Sequence, residues 1–359
     1  MKIGILSLNP GQNYGGILQS YALKTILERM GHQVKVISLP LPPSFSWSKI
    51  PQYMVRSAKK IFKKDICVFR TYNEKKHGKL AFCQEKLNLK YIRSFQDIKA
   101  EDFNAIIVGS DQVWRPRYFE EQYHTGIENA FLDFSEKWDI KRVAYAPSFG
   151  VDEWEYNLQQ TEQCAKLIAL FDAVSVREES GKALCKKYLH FDGAVLACDP
   201  TLLLTKSDYE DLITNKSQAP KGNLLVYCLD HSEVLDNIVK RVTAEKNLRQ
   251  FRINNKTVSM PSIGSWLRAF RDSEFIITDS FHACVFSIIF QKPFIVIGNV
   301  SRGMSRFDSL LKTVNQKHRM LYNLNDYDEK DNYFEPPVCN EELSKLQSIS
   351  LNFLKKALQ

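Results

Sequence analysis

The segment Phe275-Ile276-Ile277-Thr278-Asp279-Ser280-Phe281-His282-Ala283-Cys284-Val285-Phe286 passes from an apolar run into a helical pattern. Asp279 or Ser280 is its expected N-cap, and His282 then falls in the first helical turn. An imidazole in that place suits a general base or a neutral hydrogen-bond donor, although a structural histidine is the plainer reading. After the next apolar run, Gly298-Asn299-Val300-Ser301-Arg302-Gly303-Met304-Ser305-Arg306 offers Arg302 and Arg306 on a loop able to close over an anion. Gly109-Ser110-Asp111-Gln112-Val113-Trp114 follows the run Ala105–Val108. Its hydroxyl, carboxylate and amide can bind sugar hydroxyls or move a proton, or can merely cap a turn with Trp114 in the core. Tyr145-Ala146-Pro147-Ser148-Phe149-Gly150 occupies the equivalent place one strand later. Arg177 ends the run Ala173–Val176, where a guanidinium grips a phosphate or carboxylate with two donors, or simply pairs with neighbouring Glu178 or Glu179. Near the start, the glycines of Asn13-Tyr14-Gly15-Gly16 let backbone N–H groups approach an anion, or serve only a tight turn.

These segments need a scaffold that brings strand ends together. Ile3–Leu8 reads as a strand, Ile17–Met30 as a helix stopped by Gly31, and Val34–Leu39 as a second strand. Residues 40–100 break the rhythm, beginning with Leu41-Pro42-Pro43. Short buried strands are expected at Ala105–Val108, Arg142–Ala146, Ala173–Val176 and Ala194–Ala197. A second series follows the polar stretch Ser217–Gly222, at Leu224–Leu229, Gln250–Ile253, Phe275–Thr278 and Phe294–Ile297. Alternating strand and helix predicts parallel sheets with ligands at the carboxyl ends of the strands. The expected architecture is α/β, with two Rossmann-like domains facing across a cleft. Their expected bounds are 1–205, with a basic insertion at about 40–100, and 206–340. An amphipathic helix at 341–359 is expected to pack back on the first domain.

Composition bounds the function. The chain has 359 residues, 44% hydrophobic and 25% charged, which excludes wholesale disorder. No run approaches the roughly 18 apolar residues of a membrane helix. Met1–Leu8 reads as a strand rather than a signal peptide, so a cytoplasmic protein is expected. The eight cysteines are scattered without a C-x-x-C pair, which argues against zinc and against a disulfide framework; Cys198, Cys228 and Cys284 are expected in the core. Much of the formal +8 sits between Lys49 and Lys64, a solvated loop or a patch for the anionic inner face of a membrane. With charge confined to one stretch and no recognised module, nucleic acid is not an expected partner.

Six segments in order resemble the polysaccharide pyruvyl transferase family: Asn13–Leu23, Gly109–Trp114, Tyr145–Gly150, Val174–Glu178, Asp199–Leu204 and Thr278–Phe286. The resemblance implies a fold similar to the GT-B glycosyltransferases. It also implies transfer of a pyruvate ketal from phosphoenolpyruvate, as donor substrate, to a sugar or lipid-linked oligosaccharide of a surface polysaccharide such as a capsule or exopolysaccharide. No metal or other cofactor is implied. His282 and Asp111 are the implied catalytic pair, and Arg177, Ser280, Arg302 and Arg306 the donor-binding set. Asn13, Tyr14, Gly15, Ser110, Gln112, Tyr145 and Ser148 are expected in the cleft or on the acceptor. Some members carry arginine two residues before the histidine; here that position is Ser280, so Arg302 or Arg306 must supply the charge, or the pocket differs. The architecture alone equally fits a nucleotide-sugar glycosyltransferase or a non-catalytic carbohydrate-binding member.

Overall fold

The computed structural model describes residues 1–11, 13–40, 72–253, 261–328, 332–338 and 341–359, with backbone alone at 72–77 and 301. The apolar runs become the strands of two parallel sheets. The first contains β1 (Lys2–Leu6), β2 (Gln33–Ser38), β3 (Leu89–Tyr91), β4 (Ala105–Val108), β5 (Lys141–Ala144), β6 (Ala173–Val176) and β7 (Val195–Leu196), in spatial order β3-β2-β1-β4-β5-β6-β7. The second contains β8 (Leu224–Tyr227), β9 (Gln250–Arg252), β10 (Phe275–Thr278), β11 (Phe294–Ile297) and β12 (Met320–Leu321), in order β12-β11-β10-β8-β9. Register pairs Ile5 with Ile107 in the first sheet and Thr278 with Tyr227 in the second. Strands β4, β8, β10 and β11 are buried at every position, because helices cover both faces of each sheet.

The first helix, Tyr14–Arg29, begins three residues before its apolar periodicity does. Asn13 is the reason: its side-chain oxygen accepts from the Gly16 N–H and caps the turn. Tyr14, Gly15 and Gly16 therefore lie in the helix rather than in the preceding loop. Cys198 and Cys284 are buried as expected, whereas Cys228 is only half-buried, at the carboxyl end of β8.

One apolar cluster spans the two domains, joining Ile5 and Leu18 on one side to Trp266 and Phe286 on the other. Tyr14 stacks on Trp266 with ring centroids 5.1 Å apart and meets Tyr227 edge-on at 6.3 Å. The closing helix, Glu341–Ala357, lies on the first domain. There the Cys198 N–H donates to Ser350 Oγ at 2.9 Å, and Gln347 Nε2 donates to the Leu202 carbonyl at 2.6 Å. No helix among the described residues is long and apolar enough to cross a membrane. The basic stretch Lys49–Lys64 lies outside the described residues.

Candidate active site

Strand order reverses between β1 and β4 in the first sheet and between β8 and β10 in the second. Open α/β sheets bind ligands in the crevice outside such a reversal. Here both crevices open onto one cavity of about 590 Å³, walled by Asn13 and Gly15 after β1, Asp111 and Gln112 after β4, Leu229 after β8, and Ser280 and His282 after β10.

Buried charges lie at and behind the cavity wall. Arg177, at the end of β6, donates from Nη1 to Asp199 Oδ2 at 2.6 Å and from Nη2 to Asp111 Oδ1 at 3.3 Å. The other oxygen of Asp199 accepts from Thr201 N at 3.0 Å and from Thr201 Oγ1 at 2.6 Å. His282 Nε2 stands 3.4 Å from Asp199 Oδ2. Burial alone would raise the pKa of both aspartates, but His282 and Arg177 hold both carboxyls below the ordinary range. Asp111 sits in left-handed backbone with φ 64°, a conformation that non-glycine residues keep only where the surroundings enforce it. Its carbonyl accepts from the Ser148 N–H at 2.8 Å, which helps to lock the turn.

Arg306 is a different kind of cation. It is buried on the cavity wall, and no carboxylate among the described residues comes within 4 Å of it. Among the described residues, Nη2 reaches only the Arg302 carbonyl at 3.3 Å, and Nε has no partner. Burial, with the Arg177 charge nearby, brings its pKa down to about 10. Beside it, Ser280 is the N-cap of the helix Phe281–Ile289 but makes no side-chain capping bond. The Asp279 carboxylate is engaged elsewhere, accepting from the N–H groups of Leu229 at 2.7 Å and Asp230 at 2.9 Å. A guanidinium without a carboxylate among the described residues, near a helix N-terminus without a side-chain cap, offers positive charge and free donors that an anion could satisfy.

The structure thus gathers Asn13, Gly15, Asp111, Gln112, Ser280, His282, Arg302 and Arg306 around the cavity. It separates the other expected residues from it. Arg177 lies behind the wall, with both terminal nitrogens committed to aspartates rather than to the adjacent glutamates. Glu178 instead accepts from Ser148 Oγ at 2.7 Å and from Phe149 N at 3.1 Å. Ser148 is therefore a structural donor, as are Ser110, bonded to the Ala146 carbonyl at 2.7 Å, and Tyr145, bonded to the Cys198 carbonyl at 3.0 Å. Tyr14 is bonded to the Pro261 carbonyl at 2.7 Å. Arg302 lines the cavity but is paired through Nε and Nη2 with Asp230. Two residues went unassigned in the sequence. Phe281 carries both arginines, with their guanidinium carbons 4.7 Å (Arg177) and 5.6 Å (Arg306) from its ring centroid. Asp199 joins Arg177 to His282; in the sequence it opens the family-like segment Asp199–Leu204, which gives it no role of its own.

Gly15 sets where the imidazole lies. A Cβ there would come within 2.1 Å of His282 Nδ1, so the first helix of one domain and the histidine of the other meet only because the side chain is absent. Gly15→Ala should lower stability by about 1–3 kcal/mol and shift the imidazole signals of His282 in NMR spectra. Unchanged signals would mean that the ring is not held by this contact.

A family model described as polysaccharide pyruvyl transferase matches residues 13–302. No curated protein matches the sequence. Among solved structures, the S. aureus MnaA–UDP co-structure superposes with a TM-score of 0.52 at 11% identity, covering 99% of this chain and 96% of that chain. UDP-GlcNAc 2-epimerase from Methanocaldococcus jannaschii, in complex with UDP-GlcNAc and UDP, gives 0.47 at 13% identity, covering 98% and 93%. Arabidopsis thaliana UGT89C1 complexed with UDP-L-rhamnose gives 0.48 at 8% identity, covering 99% and 94%. The likeness to the first of these is one of fold, two parallel α/β sheets whose carboxyl edges open onto one cleft. The family match runs from the cap of the first helix to the loop bearing Arg302, and by it this chain belongs to the polysaccharide pyruvyl transferase family.

Proposed function

We propose that this protein transfers a pyruvate ketal from phosphoenolpyruvate to a sugar of a bacterial surface polysaccharide or of its lipid-linked precursor. The observation that carries this reading is Arg306, a buried cation on the wall of a sugar-sized cleft that has no carboxylate partner among the described residues. A buried charge of that kind calls for an anionic ligand. Phosphoenolpyruvate brings two anionic groups. Its phosphate would lie against Arg306, the Ser280 hydroxyl and the first N–H groups of the helix Phe281–Ile289.

The chemistry then follows from the substrate. Protonation of the methylene carbon leaves an oxocarbenium-like centre at C2, which one sugar hydroxyl attacks. Phosphate departs, and a second hydroxyl of the same sugar closes the ketal. Of the two hydroxyl protons, one balances that added to the methylene carbon and the other leaves with phosphate. His282, held near Asp199, is the proposed acid and base for these transfers, and Asp111 the acceptor for a sugar hydroxyl proton. Asn13 and Gln112, which line the cavity, would hydrogen-bond the acceptor. Arg177 acts through others, fixing Asp111 and Asp199.

Thermal denaturation tests the reading. Phosphoenolpyruvate at 100 times its Kd should stabilise the protein by about 2.7 kcal/mol. Stabilisation by UDP-sugars alone would replace the proposal with a glycosyltransferase. No shift with either would favour a non-catalytic carbohydrate-binding member.

A further inference from the structure

A second cavity, of about 350 Å³, lies outside the carboxyl ends of β8, β10 and β11. Its size is at the lower end of the roughly 300–1,000 Å³ typical of ligand pockets. Asp279 lines both cavities, and the Asp230–Arg302 ion pair joins a residue of the smaller one to a residue of the larger. A ligand seated in the main cavity therefore has this pocket as its neighbour.

The lining has a distinct chemistry. The ring of Tyr322 lies against Gly298, where a Cβ would come within 2.5 Å of Tyr322 Cε1. The glycine lets the ring settle on the strand end while the tyrosine stays 42% exposed. Ser232 adds a hydroxyl, and Asn299 Nδ2 donates to Asp230 Oδ2 at 2.8 Å, forming an amide–carboxylate edge. The charge of Asp230 is balanced by Arg302, and no lysine or arginine among the described residues lines the pocket. The helix Glu233–Lys246 starts here with Glu233 and Asp236 in its first turn, which disfavours phosphate at that N-terminus. An exposed aromatic face beside hydrogen-bonding groups and without a free cation suits a neutral pyranose ring rather than a nucleoside diphosphate.

We propose that this pocket is a second sugar subsite, holding the residue next to the one that receives pyruvate, so that the acceptor is at least a disaccharide recognised through neutral sugar. The inference rests on the main cavity being the transfer site. Saturation-transfer NMR on the full chain tests it, with lactose, cellobiose, maltose and N-acetyllactosamine as probes. Transfer to ring protons of at least one probe is expected from wild type and from Tyr322→Phe, also in the presence of phosphoenolpyruvate. In Tyr322→Ala the affinity should fall about tenfold. Absence of transfer to every probe, equal affinity in Tyr322→Ala, or displacement of the sugars by UMP would overturn the subsite. Phosphoenolpyruvate-induced stabilisation is recorded on the same samples. If it persists while the disaccharides fail, the subsite falls and the transfer reading stands.

Discussion

Arg306→Met should abolish stabilisation by phosphoenolpyruvate and at the same time raise the melting temperature of the ligand-free protein. The two effects have opposite signs because they arise from one fact, a buried guanidinium with no carboxylate among the described residues within ion-pair distance. Methionine has similar length, packs well against the Phe281 ring and carries no charge to desolvate. Removing an uncompensated buried charge should stabilise the empty protein by about 1–4 kcal/mol. Loss of a donor aimed at charge in the transition state should lower turnover about 10²–10³-fold. Melting curves with and without phosphoenolpyruvate, plus phosphate-release kinetics, check both. A lower melting temperature for the empty variant would mean that Asp111 and Glu178 already neutralise Arg306 without a ligand.

Arg177→Met should do the reverse, costing about 3–5 kcal/mol of stability by stranding two buried carboxylates. Asp199 and Asp111 have native pKa values below their unfolded value of about 3.9. A depressed native pKa supplies stability above the unfolded value, lost as pH falls through the native one. Wild-type stability from this pair should therefore hold at neutral pH and decline below about pH 4. Without Arg177, His282 still holds both aspartates down but part of the depression against burial is lost, so within a scan from pH 8 to pH 3 the acid decline of the variant should begin at a higher pH than that of the wild type. Melting temperatures of both proteins between these limits decide it. A variant with the wild-type pH profile would remove Arg177 from the role of counter-ion.

The contrast between these arginines marks the limit of what could be read from residue order. Strands were legible because a parallel strand buried on both faces is a continuous apolar run; Ala105–Val108, Phe275–Thr278 and Phe294–Ile297 have the same bounds in sequence and structure. Leu89–Tyr91 and Met320–Leu321 were not, being too short to show a period. Which segments reach the cleft was also legible, since a polar residue after a parallel strand emerges at the ligand edge. Which side chains face the ligand was not. Ser148 and Asp111 look alike in sequence, yet one hydroxyl turns to Glu178 while the other side chain lines the cavity. Arg177 finds its partners 22 and 66 residues away, and Arg302 is neutralised by an aspartate 72 residues away. Only the packed chain distinguishes these from Arg306.

The closing helix has a consequence for how the protein is made. Its Ser350 accepts from the backbone N–H of Cys198, the residue just before the aspartate that joins Arg177 to His282. The two partners are 152 positions apart. At roughly 5–20 residues per second, a ribosome takes about 8–30 s to bring the second into being after the first. Throughout that interval the nascent first domain has all its strands, but the segment bearing Asp199 has not received its final fastening. Assembly of the site is thus a late event of translation, completed after both sheets have been synthesised.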